Sequence, residues 1–159
     1  MIPIKLPSMN KKEIDEAIHK QYLCRIAFNG KDGPQIAPFQ YVFIDNHLYF
    51  HFTNYGDKIG FINQEKPVCV EIENYAPDFS EYSFVILNGN LKTVQDSEEK
   101  RKVIEKMSET GKEKLSTHFL FAHGFDSEAG WSILNENQDM LIVKLYKVKT
   151  QKGLKSPKQ

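Results

Sequence analysis

A mainly β fold, a small six-stranded antiparallel β-barrel with flanking helices, is what this sequence predicts, and three observations carry it. Six stretches have strand character and follow one another through tight turns or short connections. Only three stretches repeat apolar residues at helical spacing. Strands and helices do not alternate, as a doubly wound parallel sheet would require.

Taken in order, Asn10 and Glu13 form a capping pair, and Ile14, Ala17 and Ile18 recur at helical spacing through "KKEIDEAIHKQY". "YLCRIAF" is the first strand. "NGKDG" holds two turn dipeptides that reverse the chain into "PQIAPFQYVFI", and Asp45-Asn46 turns it again into "HLYFHFT". Both faces of these strands carry apolar residues, so one face packs a barrel interior and the other a helix or a second subunit. "KIGFINQEK" is a short helix closed by Pro67, and "VCVEIE" is the fourth strand. "YSFVILNGNLKTV" is the fifth, with Gly89 marking a bulge or a close backbone approach. Asp96 with Glu99 caps "SEEKRKVIEKMSET", whose stripe is Val103, Ile104 and Met107 and which Gly111 is expected to stop. Residues 112–138 resist placement. "DMLIVKLYKVKT" is the sixth strand, and the ends, 1–9 and 151–159, read as flexible parts of a single domain spanning 1–159.

The chain has 159 residues, enough to bury one core without disulfides or metals. Lys plus Arg and Asp plus Glu number 21 each, so no global positive field exists to hold nucleic acid or anionic lipid. No apolar run approaches the roughly 18 residues of a membrane span, and the N-terminus lacks a secretory pattern. Cys24 and Cys69 stand far apart and match neither a zinc knuckle nor a redox pair. A cytoplasmic protein is expected.

The chemistry is expected in "HFTNYGDK", His51 to Lys58. No P-loop and no GxGxxG is present. At this strand-to-helix junction Thr53 offers a hydroxyl and Asn54 a helix cap. Gly56 lets the backbone approach a ligand, and Lys58 brings a cation to the first helical turn, where amides favour anions. Such a corner fits one phosphate. It also fits an ordinary turn followed by a solvated lysine.

A "YTN" or "HSA" at a strand end, followed shortly by Gly and Lys, resembles the flavin-phosphate loop of the pyridoxamine 5'-phosphate oxidase-like split β-barrels, in the branch with nitroimidazole-resistance-type proteins. Further resembling stretches, "CRIAF", "GPQIAPFQYVF", "NQEKPVCVEIE" and "SFVILNGNLKTVQDSEEKRKVIEKM", run in the family's order over residues 10–110. The resemblance implies a homodimer with FMN in clefts between subunits. It implies phosphate contacts from Thr53 and Lys58 on a cofactor-binding loop that also holds Asp57, a ring edge along Pro38, Phe39 and Gln40 largely through backbone groups, and His51 and Phe52 beside the ribityl chain and ring. Ser83 would face the ring from the second subunit. The activity implied is that of an FMN-dependent oxidoreductase, reductase or oxidase, of a small molecule, with NAD(P)H a candidate donor. The rival is a non-catalytic flavin- or haem-binding module on the same barrel.

The sequence departs from true pyridoxine phosphate oxidases at two places. Asp57 stands where they place an arginine, and Trp131 has no arginine after it. His47 and His51, four apart on a strand, lie about 13 Å apart and cannot share a metal, whereas His118 and His123 reach one only if their segment folds back. The aromatic set Phe39, Tyr41, Phe43, Tyr49, Phe50, Phe52 and Tyr55 could stack a flavin ring, though alternation sends about half of it into the core. Arg25 has two readings, a phosphate contact or a carboxylate pair.

Overall fold

In a computed structural model, described over residues 4–53, 56, 58–126, 128–136 and 140–157, a capped helix precedes a β meander. The elements are α1 (Lys11–Lys20), β1 (Leu23–Gly30), β2 (Gly33–Ile44), β3 (His47–Phe52), α2 (Lys58–Asn63), β4 (Pro67–Tyr75) and β5 (Tyr82–Thr93). They continue as α3 (Ser97–Lys114), α4 (His118–Ala122), α5 (Ile133–Glu136) and β6 (Leu141–Lys155). The strands close into a barrel in the order β1-β2-β3-β6-β5-β4, with every neighbouring pair antiparallel.

The turn chemistry acts where expected. Asp45 and Asn46 both take positive φ, 48° and 62°, the pair of left-handed residues that a two-residue hairpin requires. Glu13 N–H donates to Asn10 Oδ1 at 3.0 Å, and Asn10 N–H donates to Glu13 Oε2 at 2.9 Å, a complete capping box. At α3, Asp96 accepts from Glu99 N–H at 2.7 Å, but the Glu99 carboxylate turns instead to Tyr49 Oη and Lys144 Nζ, each at 2.7 Å. At Gly89 the β5–β6 register shifts, and an added Cβ would lie 2.8 Å from the Tyr146 carbonyl oxygen. The glycine makes room for the bulge.

Alternation along the strands divides the apolar residues between two cores. Ile26, Phe28, Tyr41, Phe50, Val70, Ile72, Val85, Leu87 and Leu145 fill the barrel, where Ile14 and Ile18 of α1 and Phe61 and Ile62 of α2 join them. Val42, Tyr49 and Ile142 face outward and are covered by Val103, Ile104 and Met107 of α3 with Leu120, Trp131 and Leu134. The second face of these strands therefore packs a helical layer.

Three expectations are corrected. Gly111 does not stop α3, which runs to Lys114. It sits inside the helix because an added Cβ would come within 2.0 Å of Cε3 of Trp131, so the helix needs a bare backbone under the indole. Residues 112–138 contain α4 and α5, short helices held by that second core. The described residues next to both ends are tied rather than frayed: β6 pairs with β5 through Lys155, Met9 N–H donates to the Gly153 carbonyl at 2.9 Å, and Lys155 N–H donates to that of Pro7 at 3.1 Å. No described helix is long and apolar enough to cross a membrane.

Candidate functional site

β2 and β3 pair only from Ile44↔His47 to Tyr41↔Phe50. Beyond that point they part. Residues Pro38, Phe39 and Gln40 remain with β1, opposite Arg25, Cys24 and Leu23, while His51 and Phe52 remain with β6, opposite Ile142 and Leu141. Twist opens a gap between diverging strands, and here it forms a cavity of about 280 Å³. The floor is aromatic: the Phe39 and Phe52 rings stack with centroids 4.6 Å apart and planes 16° apart.

Lining this cavity are Pro38, Phe39, Gln40, His51, Phe52, Thr53 and Lys58, together with Leu23, Phe119 and His123. Seven of the nine residues named from the sequence thus converge. Ser83 does not line it; it lies on β5 between Asn74 and Lys155. Asp57, with Asn54 and Tyr55, falls outside the described residues.

Phe119 and His123 come from the α4 region, and sequence reading missed Phe119 and Leu23 altogether. The signal was the four-residue spacing of Phe119 and His123, which places both on one helical face. His123 Nδ1–H donates to the Phe119 carbonyl at 2.7 Å, and the imidazole lies 4.2 Å from the Phe119 ring centroid to centroid. Phe119 stacks in turn on Trp131 at 6.0 Å and 20°, and the Trp131 carbonyl accepts from the buried Ser108 hydroxyl at 2.9 Å. Trp131 is buried structure supporting this wall, since it lies outside the cavity lining.

Lys58 is the one lysine or arginine among the described lining residues, its Nζ 5.5 Å from the Phe39 centroid. It opens α2, a helix of only six residues, so the ammonium rather than a long helix dipole supplies the positive charge. Burial, and then the neighbouring His123, push His51 down to about 4, so its imidazole is uncharged at neutral pH. The two imidazole centroids stand 6.3 Å apart. No group of three or more metal-ligating side chains occurs among the described residues. Arg25 pairs with Glu71 and Glu73 on the outer sheet face and takes no part.

With this geometry in place, the comparisons sharpen the assignment. The family model for pyridoxamine 5'-phosphate oxidase matches residues 10–120. The chain belongs to that family. The match spans α1 through α3, including both strands that part to form the cavity. No curated protein matches the chain. Among solved structures, the FAD binding protein from Mycobacterium smegmatis is 12% identical with a TM-score of 0.62, covering 94% of this chain and 97% of that one. A protein from Bacteroides thetaiotaomicron named for 5-nitroimidazole antibiotic resistance is 19% identical at a TM-score of 0.64, covering 97% and 92%. The FAD and heme binding protein from Mycobacterium smegmatis is 11% identical at 0.65, covering 94% and 72%. These likenesses establish the split-barrel fold shared by members of the pyridoxamine 5'-phosphate oxidase family.

Proposed function

We propose that the cavity between β2 and β3 binds FMN and that the protein is a flavin-dependent oxidoreductase acting on a small molecule, with NAD(P)H as the electron donor. One observation carries this: residues assigned to phosphate and ring contacts, from separate strands and a helix, meet in one cavity, with Lys58 the one lysine or arginine among its described lining residues. The residues fit the group. Lys58 and Thr53 suit one phosphate, the aromatic floor and the Phe119 wall suit a planar ring, and Gln40 presents a buried amide nitrogen with no partner. One lining lysine or arginine favours a monophosphate over the pyrophosphate of FAD.

Bound FMN would supply hydride and single-electron chemistry. The chain's own residues orient it and exclude water. His51 stays uncharged against the ring site, so no cation competes there with Lys58 for the phosphate. A homodimer belongs to the same reading. Leu23 and Ile36 stand exposed on the outer face of β1 and β2, beside the cavity-lining Pro38 and Gln40, and a second copy on that face would cover the mouth, where the family resemblance puts the partner subunit's Ser83. The two free cysteines fit a reducing compartment, so the reading includes cytoplasmic residence.

The purified protein is expected to be yellow and, on denaturation, to release a phosphorylated flavin. Bleaching by NADPH without oxygen supports the oxidoreductase. A colourless protein indifferent to added FMN overturns the flavin reading. The His51–His123 pair favours a second reading, a flavin- or haem-binding module without turnover, which a yellow protein inert to NAD(P)H and a haem Soret shift on titration would support.

A further inference from the structure

Two buried side-chain nitrogens find no hydrogen-bond partner among the described residues, Gln40 Nε2 and Trp131 Nε1. Trp131 lies behind the helical wall, whereas Gln40 lines the cavity. A buried amide donor without an acceptor has lost its water and gained nothing in exchange, and native proteins hold few such groups. The lining around Gln40 offers little to accept its proton. Leu23, Pro38, Phe39, Phe52 and Phe119 carry no polar side-chain atom, and Lys58 is a donor only. The acceptors the lining does hold, the Thr53 hydroxyl, the His51 ring and Nε2 of His123, whose Nδ1–H donates to the Phe119 carbonyl, make no hydrogen bond with Gln40 Nε2.

We propose that the Gln40 carboxamide reads the ligand: its N–H donates to an acceptor on the flavin ring and binds the reduced ring more tightly than the oxidised one. This rests on the FMN reading above and assigns to a side chain what the family resemblance assigns largely to the backbone of this strand. Reduction raises electron density on the ring's carbonyl oxygens and nitrogens. A hydrogen bond to a charged acceptor is roughly twice as strong as one to a neutral acceptor, so the donor's contribution grows on reduction. The residue is a specificity and potential-setting group; it moves no proton and no electron itself.

The test uses Gln40→Leu, which removes the donor, and Gln40→Glu, which keeps the shape but substitutes an acceptor. FMN affinity and the two-electron midpoint potential are measured for each, with circular dichroism to confirm folding. In Gln40→Leu, reduced FMN is expected to lose about tenfold in affinity relative to oxidised FMN, a fall of about 30 mV. Gln40→Glu falls further, because its carboxylate repels the reduced ring, and it decides alone if the leucine variant does not fold. Variants that bind FMN at the wild-type potential overturn the Gln40 assignment and leave the FMN reading standing. Wild-type protein that binds no FMN overturns both.

Discussion

The two long walls of the cavity are held in place by different forces. The strand wall, Pro38 to Gln40 and His51 to Thr53, is fixed by ladder pairing of β2 to β1 and of β3 to β6. The helical wall, Phe119 and His123, hangs on packing: α4 has five residues, too few to be stable alone, and it stays because Phe119 stacks on Trp131 and Trp131 seats on Gly111. Main-chain pairing places side chains by period two, whereas packing places them by shape. The first wall should survive most substitutions in the second.

Gly111→Ala breaks this comparison most sharply. Propensity alone predicts a gain of about 1 kcal/mol for replacing a helical glycine by alanine. With Trp131 Cε3 2.0 Å from the new Cβ, we expect instead a loss of about 2–3 kcal/mol. Denaturant titration gives the sign. Emission from Trp131, the only tryptophan, should shift red while the far-ultraviolet β signature persists. A more stable variant with unchanged emission would mean the helical wall does not depend on this contact.

Lys58→Ala tests the end of the strand wall. Loss of a charge-assisted contact should weaken FMN by about tenfold to a hundredfold while leaving riboflavin, which lacks the phosphate, nearly unaffected. Equal losses for both flavins, measured by fluorescence quenching, would move the phosphate elsewhere.

His51 joins the two walls electrostatically. Its folded-state value is depressed to about 4 from an ordinary 6.5. Between those values the unfolded chain binds more protons than the folded one. Stability from this group is therefore complete above pH 6.5 and is lost as pH falls toward 4, by about 1.4 kcal/mol per unit. His51→Asn should flatten that slope between pH 6.5 and 4, and an unchanged slope in urea titrations would assign it to another group. His123→Ala gives the smallest effect. It removes the second cause of the depression, so the His51 resonance should titrate somewhat higher by NMR, with burial still holding it well below 6.5.

What was legible in the sequence follows the same division. Alternation in β2 and β3, the Asp45-Asn46 turn and the order of strands were readable because each depends on neighbours two residues apart or on a local dihedral. The strand wall and Lys58 came with them. What supports the helical wall was not readable, because Gly111 has the same local signature whether it ends a helix or admits an indole. Only the presence of Trp131, twenty residues on, decides between the two. Residues 151–155 looked like a tail for a similar reason: "QKGLK" lacks apolar alternation, and its place in β6 comes from pairing with β5 and with the segment around Ser8.

Because β4 returns to β1, all six strands have hydrogen-bonded neighbours on both sides. Apart from the gap where β2 and β3 part, a foreign strand finds no open edge among the described strands, so templated aggregation is confined to that one place. Association of two copies through a side-chain face such as that of Leu23 and Ile36 would put no main-chain bond at stake. Dilution that separates two such copies would leave each one's backbone ladder whole. Concentration would then govern how tightly a shared pocket retains its occupant, and the barrel itself would not melt.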